Sequence, residues 1–175
     1  IDPKVRSALR LEIAQCFSKI RMGSPNTPIV IVSPLAEGAD RLVVEVALEI
    51  SWDKQAACYV SIRGEEHTIP ADEIRVVAPL PLAPAQYERD FDPKRDDDVQ
   101  DPAAKEQFQA LLAHDRVQFF WMSVPDSVEE LDSTDVRLEQ YAMSGFFVVE
   151  NSDVLISLPL LNASPGALGG TDWAV

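Results

Sequence analysis

Two short stretches of the chain combine glycine with residue types that can hold a phosphate or a ribose: SPLAEGADR, Ser33 to Arg41, and SPGALGGT, Ser164 to Thr171. In the first, Gly38 would let the backbone approach a ligand closely, and the free N–H groups at the helix start would attract an anion. Ser33, Glu37, Gly38, Ala39, Asp40 and Arg41 then form one wall of a site. Glu37 or Asp40 would accept from a ribose hydroxyl, and Arg41 would add a charge-assisted contact. In the second stretch, Gly169, Gly170 and Thr171 form the opposite wall, with backbone N–H groups and the Thr171 hydroxyl on the phosphate. Taken alone, each stretch serves equally well as a plain connection between strand and helix, with Gly38 supplying a permissive backbone angle and Asp40 capping the helix. Side by side on one sheet edge, they would make the two sides of a single cleft.

The elements that must position them follow from hydrophobic periodicity. Val5, Ala8, Leu9, Ile13, Cys16, Phe17 and Ile20 recur at the spacing of one helical face, and the helix stops near Met22 and Gly23. Ile29 to Val32 are continuous and β-branched, as in a strand buried on both faces, and a helix with Leu42, Val43, Val46, Ala47 and Ile50 on one face follows at once. Residues 57–62 read as a strand and the polar RGEEHTIPADE as a surface insertion. Ile74 to Leu80 read as an interior strand that ends in a proline-rich loop, and the acidic run after Glu88 as solvated surface. A helix over 103–113, a strand over 117–121, a long helix over 135–150 and a buried strand over 154–158 complete the pattern. Strands alternating with helices predict one α/β domain over residues 1–175 around a mostly parallel sheet. Ligands of such sheets bind beyond the carboxyl ends of the strands, where both glycine turns fall.

Composition limits the partners. The 175 residues are 46% hydrophobic with a net charge of −14, which argues against direct nucleic-acid binding. No apolar run approaches membrane-spanning length and no signal sequence is recognised, so a soluble, cytoplasmic protein is expected. Cys16 and Cys58 suit buried thiols better than a disulfide. His67 and His114 lack a second ligand at metal spacing, and Asp96, Asp97 and Asp98 lack the pattern of a calcium loop, so no metal site is predicted. Trp52, Trp121 and Trp173 are too dispersed for a stacking platform, and Trp121 is expected in the core. Arg137 and Tyr141, four apart on the long helix, could reach over the cleft to hold a phosphate and stack a base, or be an exposed Arg beside a half-buried Tyr.

The ordered series VIVSPLAEGADRLVVEVALE, VVAPLPLAPAQYERDF, RLEQYAMSGFFVVENSDVLISL and PGALGGTDWAV resembles the SLOG group of Rossmann-like proteins. That group includes the Lonely Guy-type phosphoribohydrolases, the Rossmann part of DNA-processing protein A and the molybdenum-cofactor carrier-like proteins. Ser33, Leu35, Ala36, Gly38 and Asp40 match the SxLAxGxD pattern of DNA-processing protein A, and Tyr87 and Asp90 match a YxxDF motif that lines the pocket rim or anchors its loop. The resemblance implies a Rossmann-like, doubly wound, mostly parallel sheet with helices on both faces and a nucleotide or nucleotide-derivative pocket between the two glycine loops. Members usually open with a glycine-containing strand before the first helix, so an N-terminal strand is expected to be missing from this sequence. The phosphoribohydrolases carry PGGxGTxxE, and the position of that catalytic Glu is Ala174 here. A binding or sensing module is therefore expected, acting as a homodimer or on a fused effector domain. An N-glycosidic hydrolase or transferase using Glu37 or Asp172 is the alternative, and a structural domain without ligand is a third.

Overall fold

The computed structural model describes residues 3–25, 27–50, 58–62, 65–69, 74–91, 103–122 and 133–156. Helix α1, Pro3–Gly23, buries Ile13, Phe17 and Arg21 and so follows the apolar stripe read from the sequence. Strand β1, Ile29–Val32, leads through a short loop into α2, Ala39–Glu49. Strands β2, Cys58–Ile62, and β3, Glu65–Ile69, form a separate antiparallel pair. Part of the polar insertion is thus a strand, because only Arg63 and Gly64 separate it from an apolar strand that supplies its ladder partners.

Strand β4, Ile74–Leu80, lies between β1 and β5, Val117–Trp121, in a parallel sheet of order β1-β4-β5. The register pairs Val32 with Val77 and Pro79 with Phe120. A two-residue period places Ile74, Val76, Ala78 and Leu80 on one face, and all four are fully buried. There Val76, Ala78 and Leu80 join Val44 of α2 and Phe108 and Leu111 of α4, Ala104–Leu112. Further along, Ile74 meets Leu42, Val46 and Ala47 of α2, with Ile13 and Phe17 of α1 stacked behind. Helix α5, Thr134–Glu150, covers the opposite face: Phe147 packs its ring edge-on to Phe120 at 5.1 Å, and the Ser144 hydroxyl donates to the Pro79 carbonyl at 2.6 Å. The molecule is therefore an α/β, Rossmann-like parallel sheet with helices on both faces.

Several expectations need correction. Val30 is 52% exposed, because β1 is the outer strand of the described sheet. Trp121 is 50% exposed for the same reason at the other edge. Of the buried strand expected over 154–158, residues 154–156 are not strand, with Val154 and Leu155 exposed, and residues 157–158 lie outside the described residues. The proline-rich stretch is a loop only as far as Ala83; Pro84 then starts the short helix α3, Pro84–Tyr87, at a first-turn position where its missing N–H costs nothing. A 3-10 turn, Glu88–Phe91, follows directly. No described helix is long and apolar enough to cross a membrane.

Candidate functional site

The loop after β1 is held in a shape its sequence does not favour by itself. Leu35 has φ 58°, a left-handed conformation uncommon outside glycine, yet it is fully buried. Two hydrogen bonds fix it. The Leu35 N–H donates to the Ser33 hydroxyl at 3.2 Å, and the buried Arg41 side chain reaches back from α2 to donate through Nε to the Leu35 carbonyl at 2.9 Å. The Ala36 N–H in turn donates to the Asp40 carboxylate. The loop is thereby folded over the start of α2.

Gly38 occupies the N-cap of α2 with φ 99°, and among the described residues no side chain caps the helix. A Cβ at Gly38 would meet nothing within 4 Å, so glycine is required there for its backbone angle rather than for room. Asp40 is not the cap that the sequence predicts: it lies inside the first turn, and its carboxylate is engaged by the Ala36 N–H. The consequence is a helix start that, among the described residues, has no side-chain cap, with Glu37 exposed beside it and Ala39 half-buried.

Arg41 is the surprise of this loop. It is 2% exposed, donates through Nη1 to the carbonyl of Ala104, and lays its guanidinium over the Phe91 ring at 3.9 Å from the centroid. Its Nη2 has no partner among the described residues. Burial lowers the Arg41 pKa, while Tyr87, Glu37, Glu45 and Asp40 act in the opposite direction. A residue read as a ligand contact is thus placed as an internal strut that ties the β1 loop to the start of α4.

The second group of candidate residues converges on the same place. Tyr87 is buried edge-on to Phe91 at 4.9 Å, to Phe108 at 5.4 Å and to Tyr141 at 6.0 Å. Arg137 and Tyr141, one turn apart on α5, both donate to Asp90 of the 3-10 turn: Arg137 through Nη2 to Oδ1, and Tyr141 through its hydroxyl to Oδ2. Of the two roles open to Asp90, the geometry gives the anchoring one, and Asp90 joins the site as its hub.

Four ionisable groups of the cluster depart from their ordinary titration. Burial pushes Asp40 up, offset by the Ala36 N–H and by Arg41. Burial lowers Arg41, as above, and drives Tyr87 well up, with Tyr141, Asp40 and Asp90 adding to the shift and Arg41 opposing it. Tyr141 is raised by burial and by its bond to Asp90. The Asp40 and Arg41 charges act on the Tyr87 hydroxyl, and so do Asp90 and Tyr141. The β1 loop, the YxxDF turn and α5 therefore form one electrostatic unit at the carboxyl edge of β1 and β4.

Ser33, Glu37, Gly38, Ala39, Asp40 and Arg41 are brought together with Tyr87, Arg137 and Tyr141. Gly169, Gly170 and Thr171 lie outside the described residues, as do Asp172 and Ala174. Sequence reasoning missed the aromatic floor of Phe91 and Phe108 under Arg41. Its one signal is Phe91 next to Asp90 in the YERDF stretch. No protein-family model, curated protein or solved structure matches this chain, whose established feature is an α/β fold built on a parallel three-stranded sheet.

Proposed function

We propose that this edge is one wall of a binding site for a nucleotide or nucleotide-derived ligand, and that the protein acts as a binding or sensing module. The observation that carries the reading is the uncapped start of α2, lying at the carboxyl end of β1 beside a cluster of groups with shifted pKa values. Open N–H groups at a helix start favour an anion, each such interaction contributing about 0.3–1 kcal/mol. Perturbed titration concentrated in one place is a mark of functional sites more often than of ordinary surface. The half-exposed Asp90, Arg137 and Tyr141 group supplies polar atoms for the sugar or phosphate, and exposed Glu37 suits a ribose hydroxyl. The SLOG-like motif order supports the same ligand class, and with it a wall formed by Gly169, Gly170 and Thr171 and a signal passed to a second copy or a fused effector domain. Ala174 at the position of the family's catalytic Glu favours binding over turnover.

Calorimetry of the full-length protein against a panel of nucleoside mono-, di- and triphosphates tests this. Dissociation constants in the micromolar range, with no free base released on long incubation, are expected. Heat from none of them would leave the glycine turn as a purely structural connection. Release of base, abolished in Glu37→Gln, would make the protein an enzyme instead.

A further inference from the structure

We propose that Asp90 is a built-in competitor at an anion subsite formed by Arg137 and Tyr141, and that a phosphate group enters by displacing its carboxylate. The source of the phosphate, a nucleotide, rests on the reading above; the subsite itself rests on three observations. First, Arg137 Nη2 and the Tyr141 hydroxyl, one helical turn apart on α5, already grip one anionic group through two separate oxygens. A phosphate can present two oxygens in the same way and carries more charge. Second, the pair can be reached. The Arg137 and Asp90 side chains keep 20% and 25% of their surface open, whereas Arg41 is sealed beneath the loop with two donors bound to main-chain carbonyls. Third, displacement needs no backbone movement: Tyr87 and Phe91 on either side of Asp90 are buried in the aromatic floor, so exchanging the two bonds from Arg137 and Tyr141 and rotating the Asp90 side chain alone would clear the subsite.

The consequence is selectivity. With Asp90 in place the subsite is neutralised, so a weak monoanion gains little by entering, and a phosphate dianion can outcompete the carboxylate.

Inorganic phosphate and AMP are the probes, measured on the native protein, Asp90→Asn and the double variant Asp90→Asn/Arg137→Gln. Asp90→Asn should bind phosphate at least about tenfold more tightly than the native protein, and the double variant should lose that gain. Equal phosphate affinity in the native protein and Asp90→Asn would overturn the inference. Should Asp90→Asn fail to fold, the carboxyl carbon resonance of Asp90 in the native protein gives the answer: movement as phosphate saturates supports displacement, and an unmoved resonance at saturation overturns it. AMP separates this inference from the nucleotide reading. AMP binding of equal strength in all three proteins would end the competitor role and keep the nucleotide site. A phosphate gain in Asp90→Asn with no AMP binding anywhere would end the nucleotide reading and keep the subsite.

Discussion

Two regions of this molecule bring arginine and carboxylate together, and they do so to different ends. Between α1 and α2, Arg6 pairs with Glu45 at 2.7 Å and Arg10 with Glu49, along a seam that runs from the part-buried Glu45 side chain, 21% exposed, out to Glu49, 64% exposed. At the carboxyl edge of the sheet, Arg41 is closed off among Leu35, Phe91 and Ala104, and Arg137 is held by Asp90 in partial burial. The side-chain chemistry is the same and the dielectric is not. In water the pairing nearly cancels against lost side-chain freedom and screening, whereas removing a buried partner exposes the full cost of the group left behind. Charge is therefore structural at one end of α2 and largely dispensable along its flank.

The sharpest way to break this contrast is Arg41→Ala. It would leave the Leu35 carbonyl without its donor, cut the tie to the Ala104 carbonyl and open space over Phe91. Roughly 3–5 kcal/mol of unfolding free energy should be lost, read by urea denaturation. A loss below about 1 kcal/mol would show that the β1 loop holds itself. Next in size is Tyr141→Phe, which removes one hydrogen bond to a charged acceptor in a partly open setting. A loss of about 1.5 kcal/mol is expected, the lower end for such bonds because the site is not sealed.

Titration probes the same end of α2. Burial raises the Asp40 pKa, so the folded state holds that proton more tightly than the unfolded state, whose value lies near 3.8. The stability associated with Asp40 is thus fully present below that value and is lost as pH rises through the raised folded value. Asp40→Asn cannot titrate, so its stability relative to the native protein should increase with pH across that window and then level off. A relative decrease would mean that the bond from Ala36 and the charge of Arg41 outweigh burial. The smallest effects belong to the flank: Arg6→Ala and Arg10→Ala should each change stability by no more than about 0.5 kcal/mol, shrinking further in high salt. A salt-resistant loss above about 1 kcal/mol at either position would erase the distinction between the two regions.

Much of the framework was legible because it repeats locally. The Ile13 and Phe17 stripe of α1, the Leu42, Val46 and Ala47 stripe of α2, and the unbroken apolar run of β4 each announce their element within a few residues. What was not legible depends on pairings across long separations. Arg41 reads as a ligand contact from its charge and its place at a helix start, and its acceptor on Ala104 lies 63 residues away. Tyr141 reads as either a stacking ring or a half-buried Tyr; it is half-buried, and its acceptor on Asp90, which neither reading supplies, lies 51 residues away. Val30 and Trp121 carry the composition of interior strand positions, yet sit where the described sheet ends, a fact of topology that no local pattern encodes. Gly38 was legible as a special turn, while its neighbour Leu35, held at φ 58° by Ser33 and Arg41, was not, since nothing in a leucine announces a left-handed backbone.

The central claim is that the start of α2, together with the Asp90, Arg137 and Tyr141 group, receives a nucleotide. Backbone amide NMR of the full-length protein during an AMP titration tests it most directly. The account predicts saturable shifts of the Gly38, Ala39, Asp40 and Arg41 amides, with those of Arg6, Arg10, Glu45 and Glu49 unmoved. Saturable binding that leaves the amides of residues 38–41 in place would contradict it.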